Sequence, residues 1–182
     1  MSVIDDILSY NNTFVEEKKY EEYETDKYPG KKLAIVSCMD TRLTELLPAA
    51  LGLKNGDAKI IKNAGGVISH PFGSVIRSLL VGIFELGVDT IMVIGHTNCG
   101  AQHMNAKEMC AHMIKAGVSQ DHIDLMNYCG VDFEQWLAGF GDGKESVHHS
   151  VELIRNHPLI PDTITVEGFI IDSTTGKLTP VR

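Results

Sequence analysis

Three short apolar segments are spaced along the first hundred residues, and each is bounded by polar residues or glycine. They are LAIVS at 33–37, AKIIKNAGG at 58–66 and TIMVIG at 90–95. Segments of this length that are apolar almost throughout, rather than at alternate positions, are typical of strands buried on both faces. We therefore predict three buried strands, of which the second ends in two glycines.

The segment between the second and third strands has the period of a helix. In GSVIRSLLVGIFELG, at 73–87, the apolar positions recur three and four residues apart, and Gly87 is placed to end the helix. The members of this apolar face are Val75, Ile76, Leu79, Leu80, Ile83 and Phe84. A strand, helix and strand in this order indicate an α/β fold, in which a mostly parallel central β-sheet is flanked by helices.

The two ends of the chain show weaker but readable patterns. Ser2 is placed to cap a short amphipathic helix, and the polar run that follows predicts an N-terminal helical arm and linker over 1–30. Near the other end, 145–161 reads as a helix ended by Pro158. The segment 163–181 then predicts a strand, a turn and a short returning strand. Residues 116–144 give no clear assignment, and we expect one domain over 1–182.

Composition and charge narrow the possible partners. The 182 residues are 43% hydrophobic, which suits a sizeable core, and the formal net charge of -8 provides no basic surface for nucleic acid or anionic lipid. The acidic N-terminus does not resemble a signal peptide, and no apolar stretch approaches about 20 residues. We expect a soluble, cytoplasmic protein without a nucleic-acid or membrane partner. In a reducing compartment its four cysteines would bind metal or stay free.

Three potential metal ligands follow the first and third predicted strands. Cys38 ends the first strand, while His96 and Cys99 lie three residues apart in the turn after the third. Reactive groups of an open parallel sheet gather beyond the carboxyl ends of its strands. Two thiolates and one imidazole suit zinc and leave one tetrahedral position, which water or substrate fills in catalytic sites and a protein ligand fills in structural ones.

Asp40 is the nearest candidate for that fourth position, and it has a competing partner. It could bind the metal itself and close the site, or it could pair with the planar fork of Arg42 and leave the metal open to water. In the open arrangement, Asp40 would accept a hydrogen bond from water at the metal, and Arg42 would restrain Asp40 and keep it ionised.

These motifs resemble a known family. CMDTR at 38–42 and HTNC at 96–99 resemble the Cys-x-Asp-x-Arg and His-x-x-Cys patterns of beta-class carbonic anhydrases. Further similarity over 31–109 and 145–179 points to the short, compact branch of bacteria and archaea. The resemblance implies one Zn²⁺ per chain bound by Cys38, His96 and Cys99, and a catalytic pair of Asp40 and Arg42.

The resemblance also implies an activity and an assembly. The activity is reversible hydration of carbon dioxide to bicarbonate and a proton, with Asp40 bound to zinc only in a closed, inactive form. The assembly is a homodimer or a larger homo-oligomer, in which the first helix reaches the neighbouring subunit. The apolar residues of that helix, which could instead pack in the core of their own chain, are Val3, Ile4, Ile7 and Leu8.

Two other functions fit the same motifs. Relatives within the compact branch hydrolyse carbonyl sulfide or carbon disulfide with the same ligands, and a zinc-stabilised binding or sensing domain would use a site that Asp40 holds shut. The substrate pocket is expected near Gly65, Gly66 and His70, although the glycines could serve only as a turn. Thr41 replaces the serine that is usual in the first motif and keeps its hydroxyl.

The sequence gives less support for a catalytic or redox role of the remaining histidines and cysteines. His70, His103 and His112 could carry protons away from the site, or they could be ordinary surface residues. Cys110 and Cys129 lack the Cys-x-x-Cys spacing of a redox pair, so we expect them to be inert.

Overall fold

The computed structural model describes residues 2–182 and contains five strands and seven α-helices. The strands are β1 (Leu33–Cys38), β2 (Ala58–Asn63), β3 (Thr90–His96), β4 (Thr165–Ile171) and β5 (Leu178–Val181). The helices are α1 (Val3–Glu16), α2 (Leu43–Ala50), α3 (Ser74–Leu86), α4 (Ala106–Lys115), α5 (Gln120–Tyr128), α6 (Phe133–Trp136) and α7 (Gly143–Arg155).

The strands form one sheet in the order β2-β1-β3-β4-β5. The first four are parallel to one another, and β5 returns antiparallel to β4. This arrangement confirms the predicted α/β fold, its mostly parallel sheet and its short returning strand. Because β1 and β3 are neighbours, their carboxyl ends lie side by side at one edge of the sheet.

The core occupies both faces of the sheet, since successive residues of a strand point to opposite sides. Ala34 and Val36 of β1 pack on the side that is covered by α3 and α7. Leu33 and Ile35 pack on the other side with residues of α2, and this second cluster also contains Cys38 and Cys99. All six residues of β1 are buried, so the strand that leads into the site is held from both faces.

Three details differ from the sequence-based expectations. β2 is an edge strand whose residues are half-buried or exposed, because only β1 pairs with it. α7 ends at Arg155, and Asn156 is its C-cap, so the helix stops before Pro158 is reached. α2, which we did not predict, follows the CMDTR motif directly and includes Pro48.

The N-terminal helix is formed but has no residue that is buried against its own chain. The Ser2 hydroxyl accepts a hydrogen bond from the Asp5 backbone amide, and the Asp5 carboxylate accepts one from the Ser2 amide, as in a capping box. No residue of α1 is buried, and its four predicted apolar contacts are 57–72% exposed. Over residues 2–182, no helix combines the length and apolar character that crossing a membrane requires.

Candidate active site

The ends of β1 and β3 bring the three predicted metal ligands together. Cys38 is the last residue of β1, His96 is the last residue of β3, and Cys99 follows in the connection after β3. The ligand atoms of these three buried residues all lie within 4.8 Å of one another. The pairing of β1 with β3 therefore forms the cluster from residues that are far apart in the sequence.

The spacing of the two thiols fits a tetrahedral metal. The Sγ atoms of Cys38 and Cys99 are 3.8 Å apart, too far for a disulfide, and both cysteines are free. Two sulfur atoms that each lie about 2.3 Å from one zinc ion, at the tetrahedral angle, are about 3.8 Å apart. The thiols are thus already at the separation that a shared ion requires.

His96 presents an unused nitrogen to this cluster. Its Nδ1 lies 2.9 Å from the Thr97 carbonyl oxygen, and donation to that oxygen leaves the lone pair on Nε2. Nε2 is buried and has no hydrogen-bond partner among residues 2–182. Burial also lowers the pKa of His96, which favours the neutral imidazole that metals bind. A satisfied core histidine would not leave this atom unpaired, so the donor set fits a metal ion.

The electrostatic surroundings of the thiols also favour a cation. Burial raises the pKa of the Cys99 thiol, so its thiolate needs a nearby positive charge to form.

The Lys62 ammonium donates to the carbonyl oxygens of Cys38, at 3.2 Å, and Leu43, at 3.4 Å. Lys62 therefore ties the end of β1 to the start of α2, and desolvation lowers its own pKa.

Asp40 and Arg42 form a bidentate pair beside the cluster. Nε of Arg42 donates to Oδ1 of Asp40 at 2.9 Å, and one terminal nitrogen, Nη2, donates to Oδ2 at 2.8 Å. The Arg42 backbone amide also donates to Oδ1, at 3.0 Å. These hydrogen bonds hold the pKa of Asp40 well below its usual range, so its carboxylate is ionised.

The carboxylate of Asp40 faces the cluster without belonging to it. Its Oδ2 lies 3.9 Å from Nε2 of His96. Two atoms bound to one zinc ion at about 2.0 Å each would lie about 3.3 Å apart at the tetrahedral angle. Asp40 is therefore paired with Arg42, as in the open one of the two arrangements that the sequence allowed.

Comparison with known proteins assigns this site to a family. The family model described as carbonic anhydrase matches residues 33–178 of the chain. The chain belongs to the carbonic anhydrase family. Its similarity to the solved beta-carbonic anhydrase isoform I of Trichomonas vaginalis extends over 100% of this chain and 98% of that one. The two share 37% sequence identity and a TM-score of 0.91, which places the chain in the beta class.

Two further relatives of this chain are named for different activities. YtiB of Bacillus subtilis strain 168, a provisionally named carbonic anhydrase, is 49% identical over 178 residues, which are 98% of this chain and 95% of that protein. A protein of Acidithiobacillus thiooxidans named carbon disulfide hydrolase is 32% identical over 159 residues, which are 83% of this chain and 77% of that protein. The carbonic anhydrase similarity is thus the stronger of the two.

Sequence analysis missed the residues that support the pair of Asp40 and Arg42. In this carbonic anhydrase the other terminal nitrogen of Arg42, Nη1, donates to Oγ of Ser173 at 3.2 Å, and Nη2 also donates to the Asn98 carbonyl oxygen at 2.9 Å. Asn98 adopts a left-handed conformation with φ of 54°. Ser173 lies 131 residues from Arg42 in the sequence, so no local pattern could have indicated this contact.

The two glycines after β2 lie against the site. A Cβ atom on Gly66 would lie 2.8 Å from the Cys38 backbone nitrogen, and φ at Gly66 is +66°. One on Gly65 would lie 3.0 Å from Phe140 and 3.3 Å from Ala101. These glycines therefore form the turn and also allow neighbouring atoms to lie closer than a side chain would permit.

A cavity of about 650 Å³ is lined by the residues directly before and after these glycines, though not by the glycines themselves, and His70 is exposed at its wall. Ala101 and Phe140 line the same cavity and also pack against the cluster that contains Cys38 and Cys99. None of the three metal-ligand candidates lines it. The assignment of His70 to a substrate pocket thus stays a prediction.

The other candidate residues lie apart from the cluster of thiols and imidazole. His103 and His112 are exposed, in the 3-10 helix Gly100–His103 and in α4. Cys110 is half-buried and Cys129 is exposed, and both are free. Whether these histidines carry protons or are ordinary surface residues stays open, and the inertness of the two cysteines stays a prediction.

Proposed function

We propose that this protein catalyses the zinc-dependent, reversible hydration of carbon dioxide to bicarbonate and a proton. The observation that carries the proposal is the unpartnered Nε2 of His96, buried beside two thiols at the spacing of a tetrahedral metal. An ionised carboxylate faces the same point. Membership in the carbonic anhydrase family supplies the reaction that this arrangement serves.

Cys38, His96 and Cys99 would hold one zinc ion per chain. When bound, the ion would act as a Lewis acid that makes water a nucleophile near neutral pH. The chain's contribution begins with His96, whose Nδ1 hydrogen bond to the Thr97 carbonyl oxygen orients the imidazole. The buried apolar surroundings of both thiols limit the access of bulk water to the site.

Asp40 would orient the attacking water. Because Arg42 keeps the carboxylate ionised, Asp40 can accept a hydrogen bond but cannot donate one. Acceptance fixes one proton of the water and directs an oxygen lone pair toward the carbon of the substrate. Arg42 at the same time restrains Asp40 from turning into the metal position, since it occupies both carboxylate oxygens.

Replacement of either member of the pair tests this proposal. We expect Asp40→Ala and Arg42→Ala to retain about one zinc per chain, because neither removes a proposed ligand, and to lose about 10²-fold or more in kcat for hydration. Stopped-flow measurement of pH change gives the rate, and metal analysis of the same samples gives the zinc content. Thr44→Ala, an exposed change in nearby α2, is the control and should leave both values unchanged. Full activity in both pair variants would contradict these roles.

The relatives named carbon disulfide hydrolase give a second candidate function some support. Carbon dioxide, carbonyl sulfide and carbon disulfide are linear triatomic molecules with an electrophilic central carbon, so one site could act on any of them. Parallel rate measurements on the three substrates separate the two functions. A carbon dioxide rate at background, together with measurable turnover of a sulfur substrate, would replace the first proposal with the second.

We also propose that the protein forms a homodimer or a larger homo-oligomer through α1. Four apolar residues of this helix, Val3, Ile4, Ile7 and Leu8, are exposed, so a partner surface is needed to bury them. We expect Ile4→Asp with Ile7→Asp to reduce the molar mass measured by light scattering after size exclusion. Asn11→Asp with Asn12→Asp adds the same charge to exposed positions of α1 and is the control. A wild-type monomer, or an unchanged mass in the apolar pair variant, would contradict the proposal.

A further inference from the structure

We propose that Ser173 is a positioning residue, whose hydroxyl holds Arg42 so that Asp40 stays paired with Arg42 and off the metal. The inference rests on the proposed function, because it assigns the residue that maintains the open arrangement of that site. Ser173 lies just beyond the carboxyl end of β4, the strand next to β3, and is 6% exposed.

The hydroxyl of Ser173 joins the two halves of the site. Its oxygen accepts a hydrogen bond from Nη1 of Arg42 at 3.2 Å, and its proton is donated to the Thr97 carbonyl oxygen at 3.1 Å. That same carbonyl oxygen lies 2.9 Å from Nδ1 of His96. The Ser173 hydroxyl therefore links the Arg42 guanidinium to the same backbone carbonyl that binds the His96 imidazole.

Backbone and side-chain contacts fix Ser173 itself. Its amide donates to Oγ1 of Thr97 at 3.0 Å, and the two hydroxyl oxygens are 3.2 Å apart. The amide of Thr97 donates to the carbonyl oxygen of Ile171, the last residue of β4, at 3.1 Å. The serine hydroxyl is thus held by contacts between the ends of β3 and β4. A short, fixed side chain therefore reaches Arg42.

The contact matters because it lies on the edge of the guanidinium opposite Asp40. Nε and Nη2 bind Asp40, which lies with Arg42 in the loop before α2, and Nη2 also binds the Asn98 carbonyl oxygen. Ser173 is the contact that binds Nη1, on the side of the guanidinium away from Asp40. The Arg42 side chain is 45% exposed, so packing alone restrains it little and its hydrogen bonds fix its orientation. Loss of the Ser173 hydroxyl would let the guanidinium tilt and loosen its hold on both carboxylate oxygens.

Three variants separate this role from a general structural one. Ser173→Ala removes the hydroxyl, and Ser173→Thr keeps it. Ser150→Ala is the matched control, since Ser150 is also a buried serine, and its hydroxyl accepts a single hydrogen bond from the Ile68 amide without contact to the site. Each is loaded with Co²⁺ in place of zinc, and its visible absorption spectrum is compared with the spectra of wild type and of Arg42→Ala, in which Asp40 is free to turn.

We expect the Co²⁺ spectrum of Ser173→Ala to move toward that of Arg42→Ala, while Ser173→Thr and Ser150→Ala keep the wild-type spectrum. With zinc, kcat for Ser173→Ala should fall about tenfold at unchanged KM, because Ser173 is buried and acts on the site through Arg42. A spectrum and a kcat within about twofold of wild type in Ser173→Ala would overturn the inference, as would equal losses in the Ala and Thr variants.

A measurement on the metal-free protein keeps this test independent of the proposed reaction. Urea unfolding of Ser173→Ala, Arg42→Ala and the double variant gives a double-mutant cycle, and we expect the two substitutions to be coupled rather than additive. Additive effects would count against the contact. A wild-type protein without carbon dioxide hydration would refute the proposed function, whereas the spectra and the cycle would still decide the inference.

Discussion

Gly66 is the position at which the fold and the candidate metal site constrain each other most directly. Its Cβ position lies 2.8 Å from the Cys38 backbone nitrogen, 3.0 Å from the Ser37 carbonyl carbon and 3.3 Å from the Ser37 Cα. All three are backbone atoms at the end of β1, a strand that is buried on both faces. The substitution Gly66→Ala therefore cannot be relieved by rotation of a side chain.

Two costs add in this variant. An alanine at a left-handed φ of +66° costs about 1 kcal/mol relative to glycine. Overpacking against a backbone that cannot move freely costs a further 1–3 kcal/mol, roughly. We expect Gly66→Ala to lower the free energy of unfolding by about 2–4 kcal/mol in total, which is a large part of the stability of an ordinary domain.

Gly52 supplies a matched control for the first cost. Its φ is +63°, close to that of Gly66, and no heavy atom lies within 4 Å of its Cβ position. Gly52→Ala should therefore cost only about 1 kcal/mol, the conformational part. Urea unfolding of both variants, after metal removal with a chelator, gives the difference that is due to the contact with Cys38 and Ser37.

Metal affinity gives a second measure of the same contact. A shift of the β1 backbone at Cys38 displaces one proposed ligand, so competition with a chromophoric chelator should show weaker zinc binding in Gly66→Ala and unchanged binding in Gly52→Ala. Equal destabilisation of the two variants, with equal zinc affinity, would refute the reasoning. It would mean that the backbone at the end of β1 yields easily and that Gly66 serves only the turn.

Three other predictions follow from the described contacts. Because Arg42 holds the pKa of Asp40 below its ordinary value, the pair stabilises the protein above about pH 4 and loses this effect as the pH falls. The difference in unfolding free energy between metal-free wild type and Arg42→Ala should therefore shrink from pH 6 to pH 3, and a constant difference would contradict the pairing. Cys99→Ala should reduce the zinc content to below about a tenth of an ion per chain and abolish the rise in Tm that added zinc produces, whereas unchanged zinc content would exclude Cys99 as a ligand. Asp142→Ala should lower the unfolding free energy by about 1 kcal/mol without changing zinc content, because the Asp142 side chain caps α7 through the amides of Lys144 and Glu145, and thermal unfolding would show no change if the cap were unimportant.

The parts of the fold that could be predicted from the sequence are those with a local cause. β1 and β3 are apolar over most of their length, as expected of strands covered on both faces, and α3 carries an apolar stripe that ends at Gly87. The cluster of Cys38, His96 and Cys99 was also predictable, since these residues stand at or just after strand ends. Parallel pairing of those strands was then enough to bring the three residues together.

The parts that could not be predicted depend on contacts between distant segments. AKIIKN was predicted to be a buried strand like the other two, but β2 is half-exposed because no strand within residues 2–182 pairs with its outer edge. The exposure of α1 has a similar origin, since its capping box and apolar spacing predict a helix but cannot say what the helix packs against. Sequence periodicity indicates which face of a helix is apolar, but it does not indicate which surface that face packs against.

Ser173 shows most clearly what the order of strands adds. β4 follows β3 in the chain and pairs with it in the sheet, so the turn after β4 reaches the end of β3, which carries His96, and the connection that carries Cys99. β1 contributes Cys38 and leads into the loop that holds Asp40 and Arg42, whereas β4 leads to the residue that binds Arg42 from the other side. The site is therefore complete only when β1, β3 and β4 are aligned, and a slip of β4 against β3 by one residue would remove the Thr97 and Ser173 contacts together. Metal binding at the ends of β1 and β3 and correct registration of β4 are thus expected to stabilise each other, because Thr97 contacts both His96 and Ser173.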